Sequence, residues 1–449
     1  MEENAPVATR HDRSRVVAFL SRYVERHVIH FVAISVLALA ALYLVLGCST
    51  QWGSRLVFGT NPGADYSCFY VAGTLLNEYP AERLYDFDLQ SELYHALLPD
   101  IPPDQELPFV NPPFFGLVFR PLALLPYTAS YLCWVAISFG LYIGGFLLLR
   151  RTLQGVPAAL TATSLLLALS FAPFLFECAI GANSSAVGFF FLSLALRLER
   201  QERRFASGAA LAFCLYKPTL LVLIGPMLVV GRRFRTLAGL AIGGSLLAVL
   251  SVAAIGWESS MRYAEILLDI SDASVGTTEV FRTTKYVEIL TFARLLAGGS
   301  SALSWSIVAG FTVVSLPFLV AFWWNFGRRD AEYRALIWSA TICWTPVFNL
   351  HVGIYDTVIV VVGMLLTADV LGRRSVDAAR PLAKPFLWLV GALYLAGWLS
   401  QPSAKLLGVQ LLTLMLYGAG AYSLLLARVQ RTGHDRSCQP RPTSRDIEA

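Results

Sequence analysis

Long continuous apolar runs recur along this chain, and they restrict its fold more than any other feature. A run of roughly 18 or more apolar residues reads as a membrane-spanning helix. Residues 31–50, FVAISVLALAALYLVLGCST, are the clearest case. The flank before Trp52 lacks a small-residue cleavage pattern, so the run reads as a helix and not as a signal peptide. Inside a bilayer every backbone N–H and C=O must bond within the protein, which leaves helices or a closed barrel. A barrel needs alternating segments of roughly ten residues; these runs do not alternate, so the chain reads as all-α. Only 14% of the residues are charged, where a soluble domain carries roughly 25%. That excludes the soluble domains that 449 residues would otherwise suggest.

About twelve crossings are expected, near 31–50, 128–149, 157–176, 183–198, 205–217, 218–230, 235–255, 303–325, 335–348, 354–371, 385–400 and 404–427. With the N-terminus inside, the inner segments hold 26 of the 35 Lys and Arg residues. The pairs Arg150–Arg151, Arg203–Arg204, Arg232–Arg233, Arg328–Arg329 and Arg373–Arg374 all fall on that side, as the positive-inside rule requires. This predicts a cytoplasmic segment over 1–30, a membrane domain over 31–427 and a disordered cytoplasmic tail over 428–449. The net charge of +5 follows from this arginine placement and does not point to nucleic acid. Two outer loops are long, 52–112 and 257–302, and long loops between membrane helices usually carry function. The proline-broken stretch 108–127 contains Arg120 and reads as a re-entrant or interfacial hairpin, since counting it as a crossing would invert every later arginine cluster. The seven cysteines show no metal-binding spacing; Cys68 is the one clearly in an outer loop.

Several polar residues stand out against this background. Asp65, in NPGADYSCFYVAG, follows the first helix and precedes Phe69 and Tyr70. A carboxylate at the membrane surface can take a proton from a sugar hydroxyl, or it can cap the helix starting near Tyr66. Asp86 and Asp88 read as a metal-binding DxD element or as a solvated turn and cap. Asn183, near Glu177, can bind sugar hydroxyls or cap the next helix. Lys217 sits inside an apolar stretch and before Pro218; an intramembrane lysine is a functional candidate, here for a lipid phosphate, with snorkelling to the interface as the alternative. His351 and Tyr355 are spaced i, i+4 and share a face if helical, with Asp356 at the start of the next helix. Arg282 and Lys285 in the second outer loop are further phosphate candidates.

In this order, GADYSCFYVAG, LYD, PFVNPPFFGLVFRPLALLP, GANSSAVGFFFLSLALRLER, FASGAALAFCLYKP and HVGIYD resemble glycosyltransferase family 87, from about residue 60 to residue 372. That family has a polytopic GT-C architecture and includes polyprenol-phosphate-mannose-dependent mannosyltransferases. The chain departs from its pattern at Asn111, where a tyrosine is usual, and at Ala182, where a polar residue is often found. The resemblance implies a GT-C-like bundle at the inner (plasma) membrane, with its site facing the periplasm or outside. It implies an inverting transfer of a hexose, mannose foremost, from a polyprenyl-phosphate sugar to a lipid or glycan acceptor. Asp65 would be the base, His351 would lie near the donor phosphate or acceptor and Lys217 in the donor site; Asn183, Tyr70, Arg282, Lys285, Tyr355 and Asp356 are the further candidates for binding donor and substrate. Beyond the lipid-linked sugar as co-substrate no cofactor is expected, and nothing in the sequence requires a metal. A transporter or flippase of lipid-linked sugars and a non-catalytic membrane assembly subunit are the rival readings.

The arginine distribution makes a direct prediction. A single cysteine at Glu92 is labelled from outside intact cells, and one at Arg203 only after permeabilisation. Labelling of both from the same side contradicts the topology.

Overall fold

The structure is a computed structural model that describes residues 27–45, 63, 65–97, 106–273, 284–298, 300–373 and 376–437. Arg282 and most of the N-terminal segment lie outside the described residues. Among the described residues all regular elements are helical. α1 covers His27–Val45. The first long loop folds into α2 (Tyr66–Glu78), a 3-10 turn (Ala81–Tyr85) and α3 (Phe87–Leu97). α4 (Pro113–Phe119) and α5 (Tyr127–Arg150) follow. α6 (Thr161–Leu169) bends by 62° into a π-helical segment, Pro173–Ile180. α7 (Ser185–Arg200) leads to α8 (Arg204–Ala212), two 3-10 turns flanking Lys217, and α9 (Ile224–Val230). Then come α10 (Phe234–Ile255), α11 (Trp257–Ala273), α12 (Ile289–Leu296), α13 (Ser301–Trp324) and α14 (Ala331–Trp344). α15 (Val360–Gly372), α16 (Val376–Leu407) and α17 (Leu411–Ser437) complete the bundle.

Seven helices are long and apolar enough to cross a membrane, or eight with the bent α6 pair as one span. The expected count of about twelve is reached only if shorter helices also cross. α7 and α14 have 16 and 14 residues, below the roughly 17 that a span needs. The segments 205–217 and 218–230 are helical but broken by 3-10 turns. The stretch 108–127 holds only the seven-residue α4 and a 3-10 turn, Leu122–Leu124, far short of a crossing. At the C-terminus α17 runs on to Ser437, so residues 431–437, expected to be disordered, continue the helix. Extending an existing helix adds a backbone bond for each residue fixed, and Arg and Gln are good helix formers.

The arginine-rich connections meet at one end of the bundle. Arg200 and Arg373 both pair with Asp369, at 3.0 and 2.8 Å. Arg200 also donates to Thr152 O at 2.9 Å, Arg233 pairs with Glu199, and Arg334 lies 3.5 Å from Glu202. Four of the five expected inner clusters are thereby tied, directly or through a residue within a few positions, into one network. Residues 63, 65, 180–184, 217, 284–288 and 349–356 gather at the opposite end, because α7 and α15 run from one group to the other.

The close crossing of α8 and α10 sets where Lys217 emerges. A Cβ on Gly208 would lie 1.8 Å from Thr236 O, and one on Gly239 would lie 2.0 Å from Phe205 O. Here the two backbones touch, as small residues permit between membrane helices. Gly208→Val is expected to destabilise the detergent-purified protein by about 1–3 kcal/mol or more and lower its melting temperature by several degrees. Gly140→Val, where the added Cβ meets nothing within 4 Å, serves as the control that leaves it unchanged.

Candidate active site

The site begins with how Asp65 is held. Gly63, at φ +75°, donates its N–H to Ile180 O at 2.9 Å, and Asp65 donates its own to Gly181 O at 3.1 Å. Tyr127 and Tyr131 tie the two strands of chain further, through hydroxyl bonds to Gly63 O and Ile180 O. Asp65 precedes α2 with helical dihedrals and makes no side-chain cap bond. Its carboxylate accepts instead from Asn183 Nδ2, at 2.8 Å to Oδ2. Oδ1 has no donor among the described residues. The side chain is partly exposed, as a group that must reach a substrate has to be.

Asn183 is fixed in turn. Its Oδ1 accepts the Ser185 N–H at 3.0 Å, so its amide NH₂ must face Asp65. Asn183 therefore holds the start of α7, as the capping reading expects, and a carboxylate that the sequence did not link to it. The Ser185 hydroxyl lies 2.7 Å from Asn183 Oδ1 and 2.8 Å from Asp356 Oδ1. It carries a single proton, which an ionised carboxylate accepts more strongly than an amide. Asp356 is fully buried and pairs with Lys217, whose Nζ lies 2.8 Å from Oδ2 and 3.0 Å from Oδ1. The same ammonium lies 4.0 Å from the centre of the Tyr355 ring. Lys217 is thus committed to a buried acid and an aromatic face, and does not snorkel to the interface.

A second charged pair flanks Asp65. Glu177, in the π-helical segment, accepts from Gln401 Nε2 at 3.2 Å and lies 3.7 Å from Lys285 Nζ. π-helical turns are frequent at functional sites. Burial, and then the Glu177 charge, push the Asp65 carboxyl up to about 6, against the opposing pull of Lys285, Asn183 and Lys217. Glu177 in turn holds Lys285 protonated above the usual lysine range.

Lys285 belongs to a short extended strap. Val287 N–H bonds to Val352 O at 2.9 Å and Ile354 N–H to Lys285 O at 2.8 Å, while Tyr286 and Gly353 form an antiparallel bridge. Gln410 holds the strap from behind through Thr284 O and Tyr286 O. The strap clasps the turn that carries His351, which has φ +54°. The condition set on the His351–Tyr355 spacing, that the segment be helical, is not met: helical structure starts only at Ile354, because Val352 and Gly353 are engaged in extended pairing. The His351 ring stands edge-on to Tyr286, with centroids 5.8 Å apart, and its buried Nε2 has no partner among the described residues. Burial, aided by Arg294, lowers its pKa, so the imidazole is neutral at neutral pH.

The other candidates are dispersed. The Tyr70 hydroxyl donates to Leu125 O at 3.0 Å, and its ring packs on Tyr127 at 5.2 Å, so it is committed to a backbone carbonyl and an aromatic contact. Asp86 pairs with Arg83 at 2.6 Å and accepts the Leu89 N–H at 3.1 Å, which is a turn and a cap. Among the described residues no three His, Cys, Asp or Glu side chains are placed to hold a metal. Asn111 donates to Tyr216 O, and Ala182 sits buried at φ +56°. Ser185 and Gln401 are the participants that sequence reasoning missed. The GANSSAVG string contained Ser185, but nothing marked it apart from Ser184; Gln401 sits 224 positions from Glu177 and has no local signal.

An apolar helical bundle with three carboxylates and two lysines gathered at one end defines a membrane protein with a buried polar cluster. The profile of glycosyltransferase family 87 matches residues 109–350, 242 of the 449 positions, and the chain belongs to that family. It is a multi-pass membrane glycosyltransferase. The matched region contains Glu177, Asn183, Ser185, Lys217 and Lys285; Asp65, His351 and Asp356 lie outside it. No curated protein and no solved structure matches the chain.

The Lys217–Asp356 pair gives a clean test. Lys217→Met strands a buried carboxylate, which costs about 3–5 kcal/mol. The double variant Lys217→Met, Asp356→Asn removes both charges, so its thermal stability in detergent is expected to recover most of that loss. A double variant no more stable than the single one contradicts the pairing.

Proposed function

We propose that this glycosyltransferase moves a hexose, mannose foremost, from a polyprenyl-phosphate sugar to a hydroxyl of a lipid or glycan acceptor, with inversion. The observation that carries the reading is Asp65 itself. Its carboxylate is turned away from helix capping, held at one oxygen by Asn183, and made more basic by burial and Glu177. A base near the working pH is the most effective one. In the reaction Asp65 takes the acceptor proton, the acceptor oxygen attacks the anomeric carbon, and the bond from that carbon to the phosphate oxygen breaks. Polyprenyl phosphate leaves with the electron pair.

The leaving phosphate gains negative charge, and donors aimed at developing charge contribute most to catalysis. Lys285 is the cation suited to meet it: its side chain is about a third exposed and its contact with Glu177 is a long 3.7 Å. The orphan Nε2 of neutral His351 can donate a hydrogen bond to the same group. Lys217, neutralised by Asp356, acts in this reading by holding Ser185 and Asn183 in place. Arg282 and Tyr70 remain candidates for contacts farther along the substrates. The architecture proposed is GT-C-like, with the membrane domain over 31–427, in the inner (plasma) membrane. Both termini are cytoplasmic and the Asp65 end faces outside, a placement supported by the arginine network at the other end.

Two measurements test this. Asp65→Asn keeps the size of the side chain but cannot accept a proton, so transfer is expected to fall by roughly a hundredfold or more in a normally folded protein. Near-normal transfer places the base elsewhere. In the wild type, Asp65 is protonated below its pKa and competent above it. kcat/KM is therefore expected to rise with pH through about 6 and then level. An acid limb centred near 4, the range of a solvated Asp, contradicts the buried setting.

A further inference from the structure

A cavity of about 210 Å³ lies at the arginine-rich end, roughly 20 Å from the Asp65 cluster along α7 and α15. Arg200, Arg334 and Arg373 line its polar side together with Glu199, Glu332 and Asp369, while Leu366, Val370 and Trp338 make the rest largely apolar. Three of the acids near it are tied to particular partners. Asp369 takes the Gly155 N–H on Oδ1 at 2.7 Å and both Arg200 and Arg373 on Oδ2. Glu199 is taken by Arg233, and Glu202 by Arg204 at 2.7 Å, so Arg334 keeps only a contact of 3.5 Å. The lining itself balances three arginines with three acids; with Arg204, Arg233 and Glu202 behind it, five arginines face four acids, one positive charge more. Trp338 is 4% exposed, and its indole N–H has no acceptor among the described residues. A buried donor left without an acceptor costs about 1–3 kcal/mol, which a ligand oxygen would recover.

We propose that this cavity binds the phosphate of an anionic phospholipid, with Arg334, Arg373 and the Trp338 N–H as donors. The chemistry recognised is a phosphate oxygen cluster with net negative charge. The apolar wall favours a lipid over a free anion, since a soluble phosphate has nothing to place against Leu366 and Val370. Basic pockets between membrane helices bind lipid headgroups on the same grounds. The site is separate from the sugar-transfer reading and stands without it.

The test uses the full chain in a neutral detergent, followed by native mass spectrometry with phosphatidylglycerol, phosphatidylcholine or inorganic phosphate in separate arms. Phosphatidylglycerol is expected to be retained at least tenfold better than phosphatidylcholine. Trp338→Phe, which keeps the ring, and Arg334→Gln, which leaves Glu202 with Arg204, are each expected to weaken that retention by about tenfold, the worth of one charged hydrogen bond. Both variants leave every buried acid paired, and unchanged melting temperatures verify that they fold. Equal retention of the two lipids, or phosphatidylglycerol binding untouched by either variant, overturns the proposal. Retention of inorganic phosphate without phosphatidylglycerol assigns the cavity to a soluble anion and overturns the lipid assignment.

Discussion

A lysine ammonium within an apolar helical bundle is tolerable only with a partner, because desolvating an isolated charge costs far more than a fold of ordinary stability can absorb. Lys217 meets that constraint through Asp356, at 2.8 Å, and through the Tyr355 ring. The pairing joins the break after α8 to the segment that opens α15. Asp356 also receives the Ser185 hydroxyl, so the start of α7 is drawn to the same point. From Ser185 the bonding continues through Asn183 to Asp65. A single ion pair thus anchors four separate parts of the chain and ends in the orientation of one carboxylate.

The electrostatics of the site follow from that arrangement. Three acids, Asp65, Glu177 and Asp356, share two lysines, so one negative charge is in excess. Asp356 and Glu177 have the nearer lysines, at 2.8 and 3.7 Å. Asp65 has only a neutral amide, whose hydrogen bond opposes the shift; burial and the Glu177 charge raise its proton affinity. A carboxylate of that kind is suited to receive a proton. The strap from Thr284 to Glu288 carries Lys285, whose charge reaches Asp65, and pairs with the turn that holds the neutral His351; in the proposed reaction these two would meet the leaving phosphate.

Much of the architecture was legible because apolar runs and arginine clusters are local signals. The arginines placed on one side do converge, through Asp369, Glu199 and Glu202. The crossing count was less legible, since hydropathy does not reveal that 205–217 and 218–230 break into 3-10 turns around Lys217 and Pro218. Asp65 and Lys217 stood out as polar residues in apolar or glycine-rich settings. Their partners did not, because Asp65–Asn183 and Lys217–Asp356 are separated by 118 and 139 positions. The conformation at His351 was open for a similar reason: its i, i+4 spacing with Tyr355 shares a face only in a helix, and the pairing with the distant strap decides for a turn.

The central claim is that a lipid-linked sugar is the donor and that its anomeric centre inverts. The most direct measurement supplies the purified full chain with labelled polyprenyl-phosphate sugars or labelled nucleotide sugars, together with membrane lipids, and determines the anomeric configuration of the product by NMR. The account predicts label transfer from the polyprenyl phosphate alone, with inversion. Transfer from the nucleotide sugar, or retention of configuration, contradicts it.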